Sequence, residues 1–471
     1  MVFSSIAFIC VFLPAFLVVY VAVPRLRNIA LLAFSLLFYF AGEGWGVLIM
    51  GVSIAINYFG ALLLSRTDKD GSKFVLTITV MLNLVVLGYY KYFGFFVGDI
   101  LGLSPAGLED IRLPLGISFF IFQGMSYVID VYRRQVPAQT NPLNVALYIS
   151  MFPQLIAGPI VRYETIVDEI STRQVYLADI YHGCLFFCLG LASKVLIADP
   201  VATVADFVFS QDFETLSRID VFIGAVAYSI QILFDFSGYS AMAIGLGRIC
   251  GFHFLQNFNF PYTATSITEF WRRWHISLST WFRDYLYIPL GGNRQGDGRT
   301  YFNLVMVFTV TGLWHGAAWS FLIWGWWHGL ALVLERLGLG AALKKGGPLI
   351  GHIYCLMWVL TGWILFRAEG LDQAMSLIGI LYLGGHELSS ATHLLGRVEI
   401  WLPVISALLL ATGWPWRLVS SIVTMPSYQK GAVLGRQREW GLGCLLMILL
   451  FGASMMEIAS GSFSPFIYFR F

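Results

Sequence analysis

Charge is what this chain has least of. Asp, Glu, Lys and Arg make up 12% of its 471 residues, about half the ~25% usual for a soluble domain. Hydrophobic residues make up 58%, and the mean hydropathy is +0.74. A soluble globule of this size needs far more polar surface, so a cytosolic enzyme, a secreted domain and a disordered chain are all excluded. The net charge of +2 offers no bulk attraction to a polyanion, and no nucleic-acid partner is expected. The six cysteines are scattered, with no CxxC and no Cys/His cluster, so neither a zinc site nor a disulfide framework is indicated. Neither a bound metal nor a bound cofactor is expected. The apolar N-terminus has no basic leader of the kind a cleaved signal peptide carries, and reads as a retained first transmembrane helix. Internal repeats, low-complexity stretches and polar loops longer than about 30 residues are missing too. One membrane domain over 1–471 is expected, with its core motifs at 251–336.

What the chain does have is long apolar runs. They fall near 6–23, 29–41, 46–64, 74–97, 114–131, 179–198, 221–247, 301–314, 318–336, 350–367, 401–420 and 441–459. They are continuous rather than alternating, which disfavours a β-barrel and predicts an all-α polytopic membrane protein with about 11–12 transmembrane helices. The run at 143–160 contains Pro153, Gly158 and Pro159 and reads as a broken or re-entrant segment. Basic residues orient the chain. With the N-terminus outside, the inner loops collect Arg25, Arg27, Arg66, Lys69, Lys73, Arg133, Arg134, Arg162, Arg173, the arginines of 248–299, Arg336, Lys344, Lys345 and a basic group at 417–438. The outer loops carry only Arg112, Arg218, Arg397 and Arg470, and hold acid instead at Asp99, Glu109 and Asp110 and at Asp206, Asp212, Glu214 and Asp220. A multi-pass membrane protein with its N-terminus outside is the expected arrangement.

Residues 251–300 do not behave as a span. They are aromatic, basic and interrupted, and lie on the cytoplasmic side in this topology. Ser266 or Thr268 can cap a helix starting near Glu269. Trp271, Trp274, Leu278 and Phe282 then follow at helical spacing, with Arg272, Arg273 and Arg283 on other faces and His275 inside the helix. This is an interfacial amphipathic helix with a tryptophan belt, or a re-entrant floor for an anionic ligand; the two are compatible. Downstream, a hairpin breaks at Gly312-Leu-Trp-His-Gly316. A helix from Tyr301 to Trp314 rises only about 21 Å against a ~30 Å hydrocarbon core, so Trp314 and His315 are expected inside the membrane. An ionisable residue there is a functional-site candidate by default. His328, in a second Trp-His-Gly, reads more readily as packing. Imidazole suits general-base work near neutral pH. With no GxSxG elbow, carboxylate pair or metal-ligand spacing beside it, a base that activates a hydroxyl for attack on an acyl group fits best. The arginines suit a phosphate-bearing acyl donor.

At these residues the chain resembles the membrane-bound O-acyltransferase (MBOAT) family, and within it the bacterial alginate O-acetyltransferase branch. The resemblance begins at MVFSS (1–5) and runs through LPLGISFFIFQGMSYVIDVYRR (113–134) and FPQLIAGPIVRY (152–163). It is densest in NFNFPYTATSITEFWRRWHISLSTWFRDYLYIPLGGNR (257–294) and GLWHGAAWSFLIWGWWHG (312–329). It implies a ring of tilted helices around a thin centre pierced by a tunnel, with His315 matching the family's essential histidine and His275 a second one near the same tunnel. Arg272, Arg273, Trp274, Arg283, Asp284, Tyr285, Trp314 and His328 are the accompanying candidates for donor or substrate contact. One departure stands at 234–247, where many relatives have an acid and this chain has Ala241.

The implied function is acetyl transfer from a cytoplasmic donor, acetyl-CoA, across the membrane for O-acetylation of an exopolysaccharide such as alginate. D-alanyl transfer from an acyl carrier protein to teichoic acid, and acetylation of peptidoglycan or cellulose, are alternatives the motifs leave open. A transporter without chemistry is the alternative from another class, and should show an inverted repeat or paired broken helices, which the sequence lacks. The family admits direct transfer or a relay through a periplasmic SGNH-hydrolase-like partner. No soluble domain here could hold the polysaccharide acceptor, and acidic outer loops near 199–220 and 368–400 would repel an anionic one, which favours the relay. Membrane lipids are the remaining expected partners.

Overall fold

The computed structural model describes residues 2–103, 111–156, 158–386, 398–413 and 437–461. Apart from one bridge pairing Ser217 with His386, regular structure among these residues is helical. Among the described residues six helical stretches are long and apolar enough to cross a membrane: Pro24–Arg66, Asp70–Ile100, Leu177–Ser210, Arg218–Ile249, Pro348–Arg367 and Gly441–Ala459. The chain is therefore an all-α polytopic membrane protein. Arg397, Arg417, Lys430, Arg436 and Arg470, together with Glu109 and Asp110, lie outside the described residues.

The described residues fall into two compact units. The first takes those up to Phe187 together with Ser240–Leu255. It contains α1 (Leu13–Ala22), α2 (Arg27–Glu43), α3 (Val47–Arg66), α4 (Lys69–Leu87), α5 (Ile117–Tyr132), α6 (Pro142–Ser150) and α7 (Tyr163–Thr172). It also holds the start of α8 (Leu177–Ala192) and the end of the 32-residue α10 (Arg218–Ile249). Polar groups are paired across its helices, as apolar surroundings demand. Asn57 on α3 and Asn83 on α4 exchange amide hydrogen bonds of 3.0 and 3.1 Å. The expected break near 150 is present: α6 ends at Ser150, and a single turn, Phe152–Leu155, follows.

Beyond α10 the chain turns at Gly251, and His253 ties that turn to α7 and α8. Its Nδ1 lies 3.0 Å from Glu169 and its Nε2 3.1 Å from Asp179. Arg248 flanks the same Asp179 at 3.8 Å. With both ring nitrogens facing carboxylates, both carry protons, and these hydrogen bonds, Asp179 first, raise the His253 pKa from 6.5 to about 9. A folded-state pKa above the unfolded value contributes stability that is complete below about pH 6.5 and lost as pH rises through about 9. Partial solvent screening limits it to about 1–2 kcal/mol. Thermal melting of the purified protein should fall between pH 6.5 and 9.5, and His253→Gln should flatten that segment of the profile. An unchanged slope in the variant would show that the melt does not report this bridge.

The second unit takes Cys188–Tyr239 and the described residues from Gln256 onward. Within it a wide turn, Ser193–Ala198, leads into α9 (Asp199–Ser210). The unit also contains α10 as far as Tyr239, α11 (Ile267–Arg273), α12 (Ile276–Phe282), α13 (Asp297–His315), α14 (Trp319–Leu334), α15 (Pro348–Arg367), α16 (Leu371–Leu383), α17 (Val398–Ala411) and α18 (Gln437–Ala459).

Three sequence expectations are corrected here. The acidic stretch 199–220 is not an open loop. Residues 199–210 are helix, Asp199 pairs with Lys194, Asp206 with Arg367 at 2.7 Å, and buried Asp220 accepts from the Ser217 N–H at 2.9 Å. Asp199 and Asp206 thus have basic partners and Asp220 is buried, while Asp212 and Glu214 stay exposed, so less of that acid faces an anionic polymer than the composition suggests. The helix expected near Glu269 starts at Ile267, with Ser266 as its cap accepting from the Glu269 N–H at 3.1 Å. It does not continue through His275, which adopts left-handed geometry (φ +44°) between α11 and α12. Finally, α13 begins at Asp297 rather than Tyr301. Its 19 residues rise about 28 Å, so shortness of the helix does not account for the burial of His315; the hairpin packing does.

Candidate active site

Helices α13 and α14 form a tight antiparallel hairpin, and His315 is the last residue before its apex. The glycines make the close approach. A Cβ at Gly325 would fall on the Phe308 carbonyl oxygen, and one at Gly312 on that of Phe321. With the backbones in contact, the His315 ring is driven against aromatic faces: Trp314 at 4.8 Å, Trp324 at 4.9 Å and Phe366 at 5.1 Å between centroids. It is 3% exposed.

The same aromatic cluster reaches the other two candidate histidines. His275 meets Trp314 edge-on at 5.9 Å and Phe236 at 4.8 Å. His328 meets Trp324 at 5.1 Å and Trp271 at 5.2 Å. Both are fully buried. The indole N–H of Trp271 donates to His328 Nδ1 at 3.3 Å, so a neutral His328 carries its proton on Nε2. That nitrogen has no hydrogen-bond partner among the described residues, and a Cβ at Gly362 would lie 2.9 Å from it. Trp274 stacks on Phe270 and packs against Trp363 at 4.9 Å. The structure thus brings together His275, His315, His328, Trp274 and Trp314.

The charged candidates divide differently. A cavity of about 210 Å³ opens between α11, α12, α13 and the end of α14. Its inner wall includes Trp271, Phe308 and Thr311, the last one helical turn before His315; Arg283, Tyr287 and Arg336 line it as well. Of the predicted donor contacts only Arg283 is there, and its charge is matched by Asp284 through bonds of 2.6 and 3.0 Å. Arg272 is exposed and lines no part of the cavity. Arg273 is held by Glu269 at 2.8 Å and by the Asn259 carbonyl. Tyr285 packs on Trp281 at 5.1 Å and is likewise absent from the cavity wall.

Sequence reasoning missed Arg336, which it used only to orient the chain. Arg336 is exposed, lines the cavity and has no ion-pair partner among the described residues. It follows Glu335, whose carboxylate accepts from the Ile267 and Thr268 N–H groups at 2.6 and 3.0 Å, so the end of α14 is anchored to the start of α11. The Tyr287 hydroxyl, shielded from solvent, has no partner among the described residues either. An apolar slot with one uncompensated guanidinium and one unsatisfied phenol suits a slender molecule with an anionic end. Among the described residues no three His, Cys, Asp or Glu side chains converge as metal ligands would.

Residues 133–339 match the profile of MBOAT, the membrane-bound O-acyltransferase family. Over its full length the chain is 40% identical to the whole of the Azotobacter vinelandii protein named "Probable alginate O-acetylase AlgI". It is 34% identical, again over its full length, to 98% of a Helicobacter pylori peptidoglycan O-acetyltransferase. Over 55% of its length it is 31% identical to 68% of a Bacillus subtilis teichoic acid D-alanyltransferase. The buried histidines, the aromatic cluster around them and the cavity beside them all fall within or next to the matched profile, and the chain belongs to the membrane-bound O-acyltransferase family.

Proposed function

We propose that this acyltransferase takes an acetyl group from acetyl-CoA on the cytoplasmic side of the bacterial inner membrane, for O-acetylation of an exopolysaccharide of the alginate type. The observation that carries the reading is the slot ending one turn from His315 with Arg336 on its wall. Coenzyme A is large and polyanionic, and moving it whole through an apolar core would be prohibitive; only its thioester arm needs to enter. Arg336 meets the phosphate, the walls of Trp271, Phe308 and Leu332 hold the arm, and His315 acts as base on the attacking hydroxyl. In this reading the N-terminus lies in the periplasm, as the excess of Lys and Arg in the opposite loops favours. A periplasmic SGNH-hydrolase-like partner receives the acetyl group and passes it to the polymer, because the longest loops here are too short to hold one.

The test is reconstitution in liposomes with labelled acetyl-CoA on the cytoplasmic face and polysaccharide on the other, with and without the partner. Label should cross only with this chain present, and reach polymer only with the partner. Arg336→Gln should raise the KM for acetyl-CoA about tenfold, the loss of one charge-assisted contact, with kcat little changed. Polymer acetylation by this chain alone would reject the relay. Turnover with an acyl carrier protein thioester but not acetyl-CoA would reject the donor and favour the D-alanyl-type reading.

A further inference from the structure

His275 sits in strained geometry, and one residue holds it there. Its φ of +44° is one of three positive values among the described non-glycine residues, and such conformations persist only where the surroundings impose them. Asn257, eighteen residues upstream, supplies the constraint twice. Its main-chain carbonyl accepts from the Ile276 N–H at 2.9 Å. Its side-chain oxygen accepts from the Ser277 N–H at 3.1 Å and the Ser277 hydroxyl at 2.8 Å. The same Oδ1 lies 3.2 Å from His275 Nδ1.

The geometry determines where the imidazole proton is. A main-chain N–H can only donate, so the Asn257 atom facing Ser277 is the carbonyl oxygen and not the amide nitrogen. Turning the amide over would set its N–H₂ against the Ser277 N–H. With the oxygen in place, an unprotonated Nδ1 at 3.2 Å would set lone pair against lone pair. The Ser277 hydroxyl also lies 3.4 Å from Nδ1, but its one proton goes to Asn257 Oδ1 at the shorter 2.8 Å, so Nδ1 carries the imidazole proton and donates to Asn257, leaving Nε2 with a lone pair. His275 is 0% exposed, and its Nε2 has no hydrogen-bond partner among the described residues.

We propose that Asn257 is a positioning residue that locks His275 as the Nδ1–H tautomer and so makes its buried Nε2 a dedicated hydrogen-bond and proton acceptor. In its neutral form His275 then gives no hydrogen bond to an acyl carbonyl; it accepts one from an O–H, N–H or S–H of the substrates. His328, with its proton forced onto Nε2 by Trp271, is of the opposite kind. Two histidines of one aromatic cluster are thus set to complementary roles by neighbours that are themselves uncharged.

The catalytic part rests on the acyl-transfer reading, but the tautomer does not, and the experiment separates them. The whole protein is labelled with ¹⁵N-histidine, and the His275 resonances are identified by their loss in His275→Gln. An unprotonated Nε2 and a protonated Nδ1 are expected. Asn257→Asp keeps an acceptor opposite Nδ1, and should keep the tautomer and at least a third of the kcat. Asn257→Leu fills the same space with no acceptor, and should show mixed tautomers and lose at least tenfold in kcat with donor KM within twofold. Ser277→Ala removes one hydroxyl but not the Asn257–His275 bond, and should keep the wild-type tautomer. Protonated Nε2 in the wild type, or a wild-type tautomer in a folded Asn257→Leu protein, would overturn the proposal whatever the acyltransferase assays give.

Discussion

Replacing His315 with glutamine is expected to lower acyl transfer by about 10²–10⁴-fold, the range general-base catalysis supplies, while the protein still inserts and melts nearly as the parent does. Glutamine is the informative substitution. The imidazole fills a slot between Trp314, Trp324 and Phe366, and alanine would leave a cavity there, confusing lost chemistry with lost packing. Glutamine occupies much of the same volume and can form hydrogen bonds, but it cannot take a proton at neutral pH. Lost turnover with donor KM near the parent value would place the defect in the chemical step. Activity within threefold of wild type in a correctly inserted His315→Gln protein would remove the residue from the reaction and leave His275 to supply the base.

The parts legible in the sequence were those whose cause is local. Gly312-Leu-Trp-His-Gly316 announces a break with a histidine in it, and the structure ends α13 at His315. Ser266 is followed by Glu269, and it is the cap. The Glu269–Arg273 pair at i,i+4 and the adjacent Arg283–Asp284 pair were legible by spacing too. Reading them would have set Arg273 aside and left Arg283 less available to a ligand. What was hidden depends on residues far apart in the chain. The kink at His275 is held by Asn257, and tryptophan spacing alone gives no sign that the helix stops there. Asp206 looks like surface acid until Arg367, 161 residues away, is found beside it. Arg336 gains its importance only because Arg283, the other arginine lining the cavity, is paired with Asp284.

The hairpin itself should be the least tolerant element of the second unit. At Gly312 and Gly325 the obstacle to a side chain is the carbonyl oxygen of the opposite helix, and no rotamer change moves a main-chain atom. Only separation of α13 from α14 would relieve it. Gly325→Leu is therefore expected to destabilise by about 3 kcal/mol, the upper end of overpacking costs. The defect should reach the chemistry as well. His315 lies three residues beyond Gly312, so a shift of about 1 Å in the hairpin displaces the imidazole from its acyl group, and misplacement of that size costs about 10²-fold in rate. Gly452→Ala is the matched control, since that glycine lies in α18 with none of the described residues within 4 Å of an added Cβ, and its melting temperature and turnover should stay at or slightly above those of the parent. Melting and acyl transfer measured together on both variants decide the matter. A Gly325→Leu protein that melts and turns over like Gly452→Ala would show that the two helices do not meet backbone to backbone, and the burial of His315 would need another cause.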